Sequence, residues 1–214
     1  GHGQSPGLKG YIPSVETLLD DACQLADYAL AEFKPKKLFL LGSSMGGTIS
    51  LHVAQKRPEE VAGVMLLAPM LKLSVSSIEE TLLAGLATIA PQWKVIPSSS
   101  TDPEKQYRDE TKRKECDADE YSAKGKTIRV GSAYCCVKLA TSLTFDQVET
   151  PFWVGVADED VVVDKQGSLD LYEQAKSTDK TIKHYAALHG LLCEPSPLFD
   201  EIAKDVLDWL RSHQ

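Results

Sequence analysis

The sequence lacks any apolar segment long enough to cross a membrane as a helix. A spanning helix needs about 18 to 20 consecutive apolar residues, and the longest apolar stretches, such as Val61–Leu71, are shorter or interrupted. Short apolar runs of this kind are typical of buried strands. The 214 residues, 43% of them hydrophobic, are enough for one domain with a core.

The sequence also lacks an excess of positive charge, because its 23 Lys and Arg residues are outnumbered by 31 Asp and Glu residues. The formal net charge is −8 at pH 7 and the sequence pI is about 5.2. Nucleic-acid binding needs clustered Lys and Arg, and the one basic run, Lys34 to Lys37, is typical of a solvated loop. We therefore expect no nucleic-acid partner. An acidic surface is not attracted to anionic lipid, so any membrane contact would have to be apolar.

The five cysteines are odd in number, and their spacing fits neither a disulfide framework nor a zinc site. A redox role for the adjacent Cys135 and Cys136 is the alternative, but buried free thiols are common and are favoured. We expect reduced thiols in a cytoplasmic protein. No metal or organic cofactor is expected.

Strand patterns alternate with helical patterns along the chain. Apolar runs at Leu38–Leu41, Val61–Leu67 and Phe152–Val156 predict buried strands, and Thr181–Ala186 predicts a fourth. Helical periodicity precedes the first strand and closes the chain. This order predicts an α/β fold with a mostly parallel sheet and helices on both faces. In such folds the catalytic groups lie beyond the carboxyl ends of the strands.

Residues 71–127 interrupt this alternation and are interpreted as a cap inserted into a single domain spanning residues 1–214. The segment has an apolar helix pattern at Ile78–Ile89 and a charged tract at Asp102–Lys126, the latter predicted to be a solvated face. The helix pattern fits a lid that contacts lipid and lines an acyl channel. It equally fits a helix packed on its own domain. Under the lid interpretation, the candidate substrate-binding residues are Leu82, Leu86 and Trp93.

The clearest chemical signal is Gly42-Ser43-Ser44-Met45-Gly46, which matches G-x-S-x-G between a predicted strand and a predicted helix. That context predicts a sharp turn that exposes the nucleophile Ser44, with the small residues Gly42, Gly46 and Gly47 around it. The helix amino terminus favours negative charge, and the Met45 backbone N–H is the predicted oxyanion donor. The alternative is a tight turn without chemistry.

A serine nucleophile needs a base, and only one histidine has the expected position. His52 lies too far along the helix after Ser44, and His213 is in the terminal segment. His184 falls inside the last predicted strand, whereas His189 follows that strand in a loop. We therefore predict His189 as the base, with His184 as the weaker candidate.

The acid is expected at the end of the third predicted strand, where Asp158, Glu159 and Asp160 follow one another. Asp158 is closest to the strand end and follows the small residue Ala157, so that it could turn inward to the imidazole. We predict Asp158 in preference to Asp160 as the partner that holds the tautomer of His189.

Several further motifs resemble the monoglyceride lipase and lysophospholipase branch of the α/β-hydrolases, which includes plant caffeoylshikimate esterases. The similarity covers nearly the whole chain and is weakest in the cap. It implies the same triad of Ser44, Asp158 and His189. The matching stretches are 1–5, 10–14, 41–47, 66–70, 155–158, 171–177, 179–181 and 185–189.

The resemblance also implies that the first strands are missing. The chain begins at Gly1 without an initiator Met or a signal peptide, and we expect a fragment. In the family, an upstream His-Gly loop supplies the second oxyanion donor, so the fragment alone is expected to be weakly active or inactive. Loss of the first strands would also leave Leu38–Leu41 as an exposed sheet edge.

These observations predict a serine hydrolase that cleaves acyl esters through an acyl-enzyme. The resemblance implies a small-molecule ester or lipid substrate, with monoacylglycerol or a lysophospholipid favoured. It also allows transient contact between the cap and a membrane surface. The alternatives are a soluble carboxylesterase acting on small or phenolic esters and a non-catalytic relative that keeps the fold.

Overall fold

A four-stranded parallel sheet forms the centre of the chain in a computed structural model that describes residues 1–122 and 125–214. Its strands, in spatial order, are β1, β2, β5 and β6, and all three pairings are parallel. Strand β1 is an edge of this sheet, as expected. The ranges are β1 (Leu38–Ser43), β2 (Val61–Leu67), β5 (Phe152–Ala157) and β6 (Lys180–Tyr185).

Helices cover both faces of the sheet. Successive side chains of a strand point to opposite faces, so the apolar residues of the central strands form two faces that must both be buried. On one face, Val64 and Leu66 of β2 pack in a core with Leu51 and Leu171 from two helices. On the other face, Met65 and Leu67 pack against the last helix. The predicted parallel α/β architecture is confirmed. The helices of this body are α1 (Val15–Phe33), α2 (Met45–Lys56), α6 (Val130–Thr141), α7 (Gln166–Gln174) and α8 (Leu198–His213).

The described part of the cap segment, residues 71–122 and 125–127, folds apart from the central sheet. It begins with α3 (Ser77–Ile89), whose capping box at Ser76 and Glu79 fixes the start of the helix. A short antiparallel pair joins β3 (Lys94–Pro97) to β4 (Thr127–Arg129) at the base of the cap. The sequence did not predict this pair, because both strands are short and lack a long apolar run.

Two helices lie in the described part of the charged tract, residues 102–122 and 125–126. They are α4 (Pro103–Gln106) and α5 (Glu110–Ala118), and neither has a fully buried residue. This agrees with the predicted solvated face. The turn between them carries Tyr107 and Arg108, and these two residues contact the loops that follow the central strands. The cap is therefore attached to the body at the carboxyl end of the sheet.

Candidate active site

Ser44 occupies a strained turn between β1 and α2. Its φ of 52° and ψ of −123° lie in a backbone region that residues other than glycine rarely adopt. Three backbone hydrogen bonds hold this conformation. The Ser44 N–H donates to the Leu67 carbonyl over 3.0 Å, and the Ser44 carbonyl accepts from Gly47 N–H at 3.0 Å and Met70 N–H at 2.9 Å. The end of β2 therefore anchors the turn.

Two of the three glycines around Ser44 are required by close contacts. A Cβ atom on Gly42 would overlap the Gly46 carbonyl, and one on Gly47 would lie 2.7 Å from the Pro69 Cβ. At Gly46, a Cβ atom would meet nothing within 4 Å among the described residues. The expectation that the turn requires a very small side chain at Gly42, Gly46 and Gly47 is thus wrong for Gly46, because its Cα faces open space.

Met45 is the first residue of α2, so the structure places it where the oxyanion donor was predicted. The first N–H groups of a helix have no partner within the helix. The Met45 N–H is consequently available to a ligand beside Ser44, and the helix dipole adds positive potential there. The Met45 side chain points elsewhere, with its sulfur 3.9 Å from the Cys136 Sγ.

His189 lies in the loop after β6, as predicted, and its side chain is only 6% exposed. Its Nδ1 atom is 2.7 Å from the Asp160 Oδ2, and the Asp160 side chain is 1% exposed. Because a carboxylate accepts hydrogen bonds, this contact assigns the proton to Nδ1 in the neutral imidazole. The Nε2 atom is then the ring nitrogen that can accept a proton.

The structure does not bring Asp158 to His189, so that predicted contact is wrong. The Asp158 N–H donates to the Tyr185 carbonyl and so continues the backbone hydrogen bonding between β5 and β6. The Asp158 side chain lies on the outer surface beside His184 and Lys165. The Asp158 Oδ1 is 3.0 Å from the His184 Nδ1 and 3.2 Å from the Lys165 Nζ. The hydrogen bond from His184, followed by that from Lys165, lowers the pKa of Asp158.

Asp160 is positioned two residues later by a turn that its own side chain stabilises. Its Oδ1 accepts hydrogen bonds from the Val162 N–H at 2.7 Å and the Val163 N–H at 3.1 Å. These bonds leave Oδ2 for His189. The sequence carries no clear signal for this choice, because the valines after Asp160 do not share one environment and Val161 is 61% exposed.

Ser44 and His189 line the same cavity, which has a volume of about 510 Å³ at the carboxyl end of the sheet. The cap contributes Ser100, Gln106 and Tyr107 to its wall. A second cavity of about 290 Å³ also reaches Ser44 and lies between the cap and the body. Its wall is mostly apolar and includes Met70, Leu73, Leu83, Ile96, Ile128 and Val137.

The three predicted substrate-binding residues of the cap do not line either cavity in the described part of the chain. Leu82 is 69% exposed and Trp93 is 62% exposed. Leu83 lines the apolar cavity in their place. Successive residues of a helix differ by about 100° in direction, so the apolar stripe of α3 turns Leu82 outward and Leu83 inward. Leu86 is half-buried but lies outside both cavity walls.

His52, His213 and the adjacent cysteines Cys135 and Cys136 lie outside the candidate triad. The His52 Nε2 is 2.9 Å from the Leu139 carbonyl, and burial lowers the pKa of this imidazole. His213 stacks on Trp209. Burial raises the pKa of Cys135 and raises that of Cys136 to about 11, which disfavours the reactive thiolate. The described cysteines are free thiols.

No group of three or more metal-binding side chains occurs within residues 1–122 and 125–214. Over the same ranges, no helix combines the length and hydrophobicity needed to span a membrane. Ser44, His189 and Asp160 are protein groups of the kinds suited to acyl transfer.

This fold, with a serine on a strand-to-helix turn, defines an α/β-hydrolase. A family model, Hydrolase_4 (serine aminopeptidase, S33), matches residues 1–196, and the chain belongs to that family. It is 27% identical to a monoglyceride lipase of Mus musculus, over 100% of this chain and 71% of the relative. It is also 27% identical to a caffeoylshikimate esterase of Arabidopsis thaliana, over 98% of this chain and 66% of that protein.

Among solved structures, the crystal structure of a monoacylglycerol lipase of Paleococcus ferrophilus superimposes with a TM-score of 0.81 at 28% identity. The match covers all of this chain and 80% of that one. The chain thus spans about two thirds to four fifths of these proteins. The family and these relatives confirm the predicted class, a carboxylic ester hydrolase of the α/β-hydrolase fold.

Proposed function

We propose that this chain carries the active site of a serine esterase that cleaves long-chain monoacyl esters, such as monoacylglycerols or lysophospholipids. The observation that carries the proposal is the buried hydrogen bond between His189 and Asp160 at the cavity that His189 shares with Ser44. A serine hydroxyl becomes a useful nucleophile when an oriented imidazole can take its proton.

The proposed reaction has two steps. In the first, Ser44 Oγ attacks the ester carbonyl and its proton passes to the His189 Nε2, while Asp160 stabilises the imidazolium. The Met45 N–H stabilises the tetrahedral oxyanion. The bond to the leaving alcohol then breaks as His189 returns the proton to that oxygen. In the second step, water gives a proton to the His189 Nε2 and attacks the acyl-enzyme carbonyl. The bond from that carbonyl to Ser44 Oγ then breaks as His189 returns the proton to Ser44 Oγ, which releases the acid and restores the serine hydroxyl.

The apolar cavity supports an acyl chain as the group bound beside Ser44. Its wall is mostly apolar, with aliphatic side chains from both the cap and the body beside a few serines, and hydrocarbon burial is favourable by about 0.8 kcal/mol per CH₂. The similarity to a monoglyceride lipase points the same way. A soluble carboxylesterase acting on phenolic esters is the second candidate, because a caffeoylshikimate esterase is equally similar.

The outer face of α3 supports transient contact with a lipid surface. Ile78, Leu82 and Ile89 are exposed along this helix, and Trp93 is exposed just beyond it. Exposed apolar side chains on a helix above an acyl-binding cavity would insert shallowly among lipid headgroups. Cosedimentation with phosphatidylcholine vesicles should fall when Leu82 and Trp93 are both changed to Ser.

Labelling of the full-length protein with a fluorophosphonate probe tests the nucleophile. The wild type and a Ser43→Ala control should be labelled, and Ser44→Ala should not, because Ser43 borders the same cavity without lying on the strained turn. Labelling that persists in Ser44→Ala would refute the proposal. A series of p-nitrophenyl esters separates the substrate classes, since the proposed lipase should prefer long acyl chains.

A further inference from the structure

Arg108, in the turn between α4 and α5 of the cap, makes hydrogen bonds to both loops that carry the His189–Asp160 pair. Its Nε donates to the Glu194 Oε2 at 2.9 Å. Its Nη2 donates to the Glu159 Oε2 at 2.9 Å and to the Ala186 carbonyl at 3.2 Å. One guanidinium from the cap thus joins two separate loops of the body.

Both carboxylate partners are linked closely to a member of the candidate triad, Glu159 through the chain and Glu194 through a hydrogen bond. Glu159 immediately precedes Asp160. The Glu194 Oε1 accepts a 2.6 Å hydrogen bond from the Leu188 N–H, which belongs to the residue before His189. Displacement of the guanidinium would therefore act on the backbone of the acid loop and on the backbone of the base loop together.

Glu194 is a buried charge without a role in the proposed reaction. Its side chain is 1% exposed, whereas Arg108 is 41% exposed. A buried carboxylate requires charged or hydrogen-bonding partners to offset the loss of hydration. Arg108 is the cation in contact with Glu194, so loss of the guanidinium leaves a buried anion beside the His189 loop.

The cap backbone reinforces the same connection. The Gly190 N–H donates to the Gln106 carbonyl at 2.9 Å. Gly190 also packs so closely on the Tyr107 ring that a Cβ atom would lie 2.7 Å from the Tyr107 Cδ1. The cap turn at Gln106–Arg108 therefore touches the residue after His189 as well as the residue before Asp160.

We infer that Arg108 is a positioning residue that sets the relative placement of His189 and Asp160 from the cap. The inference rests on the proposed function, because it assigns catalytic roles to these two side chains. Arginine suits the position, since its planar guanidinium reaches several acceptors at once, whereas a lysine ammonium acts as a single point charge. Arg108 acts through Glu194 and Glu159 and does not contact substrate.

The test compares Arg108→Gln and Arg108→Lys with Arg129→Gln in the full-length protein. Arg129 is a matched control, because its guanidinium also bonds cap-base and body carbonyls, those of Lys9 and Gln92, but contacts neither catalytic loop. We expect Arg108→Gln to lower kcat for a short-chain ester by about ten- to a hundredfold, with KM changed less than about threefold. Arg108→Lys should recover part of the loss.

A second readout reports geometry directly. The downfield proton resonance of the His189 Nδ1–H, identified by its loss in His189→Gln, should shift or broaden in Arg108→Gln and stay unchanged in Arg129→Gln. Normal kcat and an unchanged resonance in folded Arg108→Gln would overturn the inference. A wild-type enzyme that a fluorophosphonate does not label at Ser44 would instead refute the proposed function, so the two failures are distinguishable.

Discussion

Asp160 and His189 form a buried hydrogen bond of 2.7 Å, while Asp158 forms a similar bond of 3.0 Å with His184 at the surface. The two pairs lie near the ends of adjacent parallel strands, and of their four side chains only His189 lines the cavity of Ser44. Burial separates their roles, because a carboxylate shielded from water orients and stabilises an imidazolium more strongly than an exposed one.

The first prediction separates these two carboxylates. Asp160→Asn should lower kcat by about 10⁴-fold, since an amide at this position favours the wrong tautomer of His189. Asp158→Asn should change kcat by less than about threefold, because its partner His184 lies outside the cavity. Steady-state hydrolysis of a short p-nitrophenyl ester measures both. The reverse ranking would restore Asp158 as the acid.

The second prediction concerns two glycines of the same motif. Gly42→Ala should destabilise the fold by about 1–3 kcal/mol or more, because the new methyl group would overlap the Gly46 carbonyl. Gly46→Ala should stabilise it by about 0.5–1 kcal/mol, because the position is helical and open. Urea denaturation provides the free energy of unfolding, and equal losses in both variants would contradict the structure.

The third prediction places the acyl chain in the apolar cavity. Leu83→Trp should fill part of that cavity and lower kcat/KM for long-chain esters by about tenfold relative to short ones, which corresponds to about two lost methylene sites. Leu82→Trp is the matched control, since the neighbouring side chain points outward on the same helix. A chain-length profile unchanged by Leu83→Trp would exclude this cavity.

The fourth prediction is a pH dependence of stability arising from His52. Burial lowers the folded-state pKa of this imidazole below 6.5, so below pH 6.5 the unfolded chain binds a proton that the folded chain does not. Stability should therefore fall as pH drops through 6.5 toward the lower folded-state pKa, by at most about 1.4 kcal/mol per pH unit from this group.

His52→Gln should flatten that part of the curve, because glutamine offers an N–H donor to the Leu139 carbonyl without titrating. Urea titrations of both proteins at a series of pH values make the comparison. An identical acid slope in the variant would assign the pH dependence to other groups.

The sequence predicted Ser44 and His189 because topology alone determines their positions. Both follow strands of the parallel sheet, and parallel strands bring their carboxyl ends to one edge of the sheet. The acid was missed because two residues of turn geometry decide between Asp158 and Asp160. Strand pleating continues through Asp158 and turns its side chain outward, and hydrogen bonds within the Asp160 turn are not visible in a hydrophobicity pattern.

The cap was harder to predict for a related reason. Periodicity located the apolar stripe of α3 but not the direction from which the body approaches it, so Leu82 was chosen where Leu83 faces the cavity. The pairing of β3 with β4 joins residues about 30 positions apart through short strands. Local composition carries little information about such a contact.

The backbone bonds from Ser44 to Leu67 and Met70 have a further consequence. These bonds hold Ser44 against the end of strand β2, whereas the cap is hydrogen-bonded to the loops that carry His189 and Asp160. The position of the Ser44 hydroxyl therefore depends on the sheet alone. The position of the His189 imidazole depends also on the cap, so a displacement of the cap would change the placement of the base relative to the nucleophile.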